Sequence, residues 1–320
     1  MFFMEIESIE EERGSARIKL VFVSLFLILV IGLLVIYWIV PRESAINFVG
    51  SNGNFLSCSD YNFGNHSNIQ FYENMRYVDS NISYRIENCP IEKSSNVKRA
   101  FYEIENKTVL SFYEVSADEE ILVNCDSKAR LEGNMFIAGE GGPSNITKLE
   151  SFYIISRGNV LLIQEPICER PVVAIHELFH ALGFAHSDNV CNIMHNFSKC
   201  SQEIGEDMII LLEELYEDEP LTDLKIGYSN GNTHDEYLDL NFSIQNDGII
   251  DSKKSSVEIR ADNKIIKTIE VPEITYGNGL EINLKNLEVE EELKEISLTI
   301  VYDFEESNYD NNLDVLFIVD

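Results

Sequence analysis

The chain has 320 residues, with 24 Lys and Arg against 55 Asp and Glu, for a formal net charge of −31. Its length is a prior for about two folded units of ordinary domain size, and so negative a balance repels phosphate backbones and argues against a nucleic-acid partner. A charged fraction of 25% beside 45% hydrophobic residues is ordinary for a globular protein, so the acidity does not signal disorder. The mean hydropathy of −0.08 averages over a strongly segregated apolar stretch.

That stretch is Leu20 to Val40, LVFVSLFLILVIGLLVIYWIV, which carries no charge. At about 1.5 Å per residue it reaches across a hydrocarbon core of roughly 30 Å, which predicts a single N-terminal transmembrane helix over 20–40 in contact with the lipid bilayer. Tyr37, Trp38 and Pro41 stand where a small-residue cleavage site would lie, so the helix reads as an uncleaved anchor. Arg13, Arg17 and Lys19 precede the span and only Arg42 follows closely. This asymmetry predicts a single-pass cell-membrane protein with 1–19 in the cytoplasm and everything after the span outside.

Cysteine usage points to the same side. The even set Cys58, Cys89, Cys125, Cys168, Cys191 and Cys200 suits disulfides in an oxidising compartment, and the short Cys191 to Cys200 loop is the pairing that spacing favours. Asn65, Asn81, Asn106, Asn145, Asn196 and Asn241 each open an N-x-Ser/Thr sequon, which in a secreted chain lies on the surface.

Residues 41–81, rich in Asn, Ser and Gly, read as a stalk and N-terminal extension. From there the pattern is mixed: strands at Ile82 to Ile86, Val109 to Val115 and Ile121 to Asn124, and a helix over Ser95 to Ile104. A loop follows at Gly139, Gly141, Gly142 and Pro143, then a hairpin or strand pair over Phe152 to Gln164. A last helix ends at Tyr216-Glu-Asp-Glu-Pro220, where acidic residues and a proline mark a domain boundary.

Within this region His176-Glu-Leu-Phe-His180-Ala-Leu-Gly183-Phe-Ala-His186 reads H-E-x-x-H-x-x-G-x-x-H. On a helix starting near Pro171, His176 and His180 lie one turn apart on one face, where both imidazoles reach a single ion. Gly183 permits the left-handed backbone that ends the helix and returns His186 as a third ligand. Three imidazoles leave one tetrahedral position of a single catalytic Zn²⁺ open, and Glu177, beside the first ligand, is placed as general base for an attacking water.

These residues resemble the metzincin metalloproteases, with Cys191-Asn-Ile-Met194-His-Asn resembling their methionine turn and Met194 its methionine. Ser187 after the third histidine makes the matrixin-like branch the most similar, and Ile82-Ser-Tyr-Arg-Ile86, Val97 to Glu103, Leu110 to Val115 and Glu206 to Tyr216 resemble matrixin elements. The resemblance implies an α+β catalytic domain over 82–218, a mixed β-sheet with a zinc-site helix, and a zinc metalloendopeptidase acting on protein or peptide. Asn196 stands where astacin-like relatives carry a tyrosine ligand, and no cysteine-switch propeptide or metal-rich loop near Arg130 to Lys148 is visible. His195 reads as a turn residue, since three histidines complete the ligand set.

From Leu224 to Val319 seven short alternating stretches separated by turns predict an immunoglobulin-like all-β sandwich over 221–320. Asn241 to Gly248 and Asp303 to Asn312 resemble the CARDB adhesion-related domain, which implies a surface partner or a positioning role. The acidic run Asp303 to Asp310 lacks EF-hand spacing, so a structural Ca²⁺ has no clear motif there. The leading reading is a membrane-anchored extracellular zinc endopeptidase whose extended substrate pairs with an edge strand near Phe152 to Gln164. An adhesion protein with a non-catalytic zinc domain, and an aminopeptidase, remain the alternatives.

Overall fold

The computed structural model describes residues 23–32, 58, 69–128, 130–132, 135–289 and 293–317. The chain divides into two units, Met1–Ser51 and Asn52–Asp320. In the first, residues 23–32 form helix α1, with apolar side chains such as Phe26 and Ile28 exposed. No helix among the described residues is long and apolar enough to cross a membrane. The rest of the expected span, 20–22 and 33–40, lies outside them, as do residues 1–19 and most of 41–68.

The second unit opens with a six-stranded sheet. β1 (Met75–Arg76), β2 (Asn81–Glu87), β3 (Ser111–Glu114), β4 (Ile121–Cys125) and β8 (Tyr153–Leu162) pair in parallel, and β7 (Gly139–Lys148) runs antiparallel to β8. Strand β8 carries β7 along one edge; its other edge holds β1 against Tyr153 and Ile154 and β4 against Gly158 to Leu162. β5 (Arg130–Glu132) and β6 (Met135–Ile137) make a separate small hairpin.

Two differences from the sequence reading concern this sheet. Gly139, Gly141 and Gly142 form an extended edge strand instead of a loop, and at Gly139 and Gly141 the missing side chains let the backbone lie against a helix. Residues 69–80, read as extension, are part of the fold: Met75 and Tyr77 are fully buried. Arg76 donates to the carbonyls of Tyr77 (2.9 Å), Val78 (2.8 Å) and Leu215, and its guanidinium lies 4.1 Å from the Tyr216 ring centroid.

Helix α2 (Ile91–Glu105) buries Val97, Ala100, Phe101 and Ile104, a stripe at helical spacing, and Phe101 stacks on Tyr84 of β2. Helix α3 (Val172–Ala181) is buried at every residue, and α4 (Glu206–Leu215) closes the core through Met208 and Leu212. The disulfides are Cys58–Cys191, Cys89–Cys125 and Cys168–Cys200. The expected Cys191–Cys200 pairing is therefore replaced: Cys191 is buried beside the parallel bridge between Asn192 and Glu203, whereas exposed Cys200 faces Cys168. Nearness in sequence says nothing about where two Cβ atoms point.

The remaining residues form two antiparallel sheets. One orders β13 (Gly279–Glu288), β10 (Tyr237–Asn246) and β9 (Leu224–His234); the other orders β12 (Lys264–Val271), β11 (Ser255–Ala261), β14 (Glu295–Val301) and β15 (Leu313–Phe317). Leu238, Leu240, Phe242 and Ile244 from β10 share one core with Val257, Ile259, Ile296, Leu298 and Ile300. Their period of two is what a half-buried strand dictates.

Candidate active site

Helix α3 begins after Pro171, which offers no side-chain cap. The Glu165 carboxylate supplies one from outside the helix, accepting from the backbone N–H of Val173 (2.8 Å) and Ala174 (3.2 Å). These are among the donors left free at a helix start, and an anion there also complements the helix dipole. Burial nevertheless pushes the Glu165 carboxyl up to about 7.

The helix ends where Gly183, at φ +96°, turns the chain back. A side chain there would meet the Met75 sulfur at 2.7 Å, so the position requires glycine for both conformation and space. The returning segment is pinned by residues 69–71: the Ala185 N–H donates to the Ile69 carbonyl and the Phe71 N–H to the Gly183 carbonyl. Phe71 stacks on the His180 ring at 5.7 Å.

Three imidazoles converge as a result. The ligand nitrogens of His176, His180 and His186 lie within 4.8 Å of one another, and the Nε2 atoms of His180 and His186 are 3.1 Å apart. His176 Nδ1 donates to the Ile193 carbonyl (2.7 Å) and His180 Nδ1 to the Phe184 carbonyl (2.8 Å). A carbonyl only accepts, so both Nδ1 atoms carry the proton and both Nε2 lone pairs face the shared centre. Tetrahedral zinc with bonds near 2.05 Å needs nitrogens about 3.4 Å apart, so the donor set fits the ion. Burial holds His176 down to about 3 and His180 to about 4, and lowers His186 as well, so they stand as neutral ligands at neutral pH.

Glu177 is buried, 6% exposed, and faces β7. A Cβ on Gly139 would sit 2.6 Å from its Cγ, and one on Gly141 would sit 2.2 Å from its backbone oxygen. Burial raises its carboxyl to about 8, with Glu140 and Glu165 adding to the rise. Met194 is buried in the core, and its carbonyl accepts from the Ser187 N–H at 2.8 Å, which ties the methionine turn to the residue after His186. His195 lies outside the triad, its Nδ1 accepting from the Phe197 N–H at 3.2 Å, and Asn196 is exposed.

Sequence reasoning missed Glu165, Phe71, the Ile193 and Phe184 carbonyls and the role of Gly139 and Gly141. Backbone acceptors leave no residue signature, and Glu165 sits outside the helix it caps. Only the glycine run carried a signal, as a site of close backbone approach.

A helix carrying two histidines one turn apart, a glycine reversal and a third histidine define a metal-dependent peptidase site. The chain matches the family model described as Astacin, a peptidase family, over residues 70–232, half of its length, and belongs to that family of zinc metallopeptidases. The family is thus within the metzincins, but the matrixin-like branch is corrected to the astacin one, with Asn196 at the position of the astacin tyrosine. No curated protein matches the chain. Among solved structures it is similar to a CARDB domain from Pyrococcus furiosus crystallised with di-metal ions, at 16% identity and a TM-score of 0.27, covering 30% of this chain and 90% of that one.

Proposed function

We propose that the protein is an extracellular zinc endopeptidase, anchored through residues 20–40, in which Glu177 is the general base. The observation that carries the reading is the convergence of the His176, His180 and His186 nitrogens beside a buried Glu177. His176, His180 and His186 would hold the zinc ion, which when bound acts as a Lewis acid on the scissile carbonyl. Glu177 takes a proton from the attacking water and delivers it to the leaving amine. The exposed His186 side leaves the centre open to substrate.

The substrate would lie extended beside β7. Strand β8, expected from sequence to offer the edge, has both edges paired, whereas β7 pairs only with β8 among the described residues. Its second row of backbone groups can add a strand from a peptide. Three disulfides and no free cysteine among the described residues support an oxidising location.

The test is a mixed peptide library incubated with the full-length protein in detergent, with and without a chelator. Internal cleavage that the chelator abolishes is the expected result, and trimming confined to free N-termini would overturn the endopeptidase reading. Glu177→Gln should keep zinc and lose at least about a hundredfold in kcat; unchanged hydrolysis in that variant would overturn the assigned base.

A further inference from the structure

The catalytic sheet is covered on both faces near β7 and β8, and by different domains. Side chains alternate across β8: Ile155 enters the core with α3, whereas Ile154 and Ser156 point to the opposite face. On that opposite face lies the sandwich. Ile154 and Leu149 form a buried cluster with Ile249 of the sandwich, joined by Phe152, Val78 and Tyr276.

Polar contacts surround this seat. The Tyr276 hydroxyl lies 3.2 Å from the Ser156 hydroxyl, and Lys225 Nζ bridges Glu150 (2.9 Å) to Asp247. Gly277 adopts φ +72°, and a Cβ there would stand 2.5 Å from Thr147 Cγ2, so the loop approaches β7 as closely as backbone allows.

The docking loops are themselves tied together. Asn246, fully buried, donates from Nδ2 to the carbonyls of Ile250 and Ile274, both at 2.9 Å. Its Oδ1 accepts from Thr222 Oγ1, the Asp223 N–H and the Gly248 N–H. One amide thus links the segment leaving the catalytic domain to the loops carrying Ile249 and Tyr276. Satisfied buried networks of this kind rigidify what they join.

Strand β7 is consequently held at two ends by different partners. Gly139 and Gly141 rest on Glu177 at its start, and Thr147 with the β7–β8 turn rests on the sandwich at its end. A lone edge strand is otherwise among the less protected parts of a sheet. We propose that the C-terminal sandwich is a positioning element of the peptidase, seated through Ile249, Tyr276 and Gly277 on the β7–β8 turn to hold the substrate-pairing edge. This rests on the assignment of β7 as that edge.

The experiment uses the full chain carrying Ile249→Asp, which puts a carboxylate into the seat without touching the sandwich core, and Ile249→Leu as the conservative rescue. Hydrogen exchange reads the seat without reference to catalysis. Amides of residues 144–148 should exchange at least about tenfold faster in Ile249→Asp, while those of α3 and β10 keep their protection and Ile249→Leu behaves as wild type. In parallel, KM for an extended peptide should rise about tenfold with kcat held within about twofold.

Gly277→Ala, a milder variant that pushes on Thr147, should move both readouts in the same direction and decides the matter where Ile249→Asp does not fold. Unchanged exchange at 144–148 in a folded variant overturns the clamp. Faster exchange with unchanged KM, in a preparation whose wild type cleaves peptides, overturns the link between clamp and substrate. An inactive wild type would overturn the peptidase reading and leave exchange to judge the seat.

Discussion

Alanine replacements along the glycine run of β7 separate the ways in which that strand serves the site. At Gly141 the added Cβ would stand 2.2 Å from the Glu177 carbonyl oxygen and 2.9 Å from its Cα. Ordinary carbon contacts lie near 3.5 Å, so strand and helix must part by about 1 Å. Neither moves freely, because β7 is laddered to β8 throughout and every residue of α3 is buried. Overpacking of this kind costs about 1–3 kcal/mol, and for a domain of this size about 3 kcal/mol lowers Tm by roughly 6–12 °C. Displacement of Glu177 by about 1 Å should further cut kcat/KM about a hundredfold.

At Gly139 the new Cβ would meet the Glu177 side chain first, at 2.6 Å from Cγ and 2.8 Å from Oε1. The carboxylate can rotate away, so activity should fall with a stability loss below about 1 kcal/mol. At Gly142 nothing lies within 4 Å. Its replacement should leave activity intact and raise stability by about 0.5 kcal/mol through reduced chain entropy. Thermal melts and peptide kinetics on the three variants decide the matter. A Gly141→Ala protein as stable and active as Gly142→Ala would refute the close packing of β7 on α3.

Other measurements address the titrating groups, the metal and the disulfides. Glu165 has its folded pKa raised to about 7, so between the unfolded value of 4.5 and 7 the folded state binds more protons and its contribution to stability falls as pH rises. Denaturant melts should therefore show Glu165→Gln gaining on wild type by about 2 kcal/mol from pH 4.5 to 7, less than the full shift because the carboxyl is partly exposed; a constant difference would contradict this. Burial lowers all three imidazoles below the usual range, so a chromophoric chelator assay should find zinc retained at neutral pH and released on acidification as the ligands take up protons. Removing zinc at neutral pH should lower Tm, since an ion at about a thousand times its Kd stabilises the folded state by about 4 kcal/mol. Mapping of unreduced peptides should recover Cys58–Cys191, Cys89–Cys125 and Cys168–Cys200 links; a Cys191–Cys200 link would contradict the fold.

The sequence by itself determined the histidine triad positioned to hold a metal ion, because two histidines at i and i+4 share a helix face whatever the helix packs against, and a glycine reversal returns the third within reach. It determined α2, α4 and the seven strands of the sandwich in the same way, through periodicities that the backbone imposes locally. Only the tertiary structure decided the rest, where partners lie far apart along the chain. Gly139, Gly141 and Gly142 carry the composition of a loop, yet they form an edge strand in which contact of Gly139 and Gly141 with Glu177 removes the room for side chains. Cys191 lies nine positions from Cys200 and pairs with Cys58 instead, since a disulfide obeys the direction of Cβ vectors. Glu165 caps a helix it does not belong to, and Ile249 seats a second domain on the first, both contacts that depend on how sheets and helices stack in space.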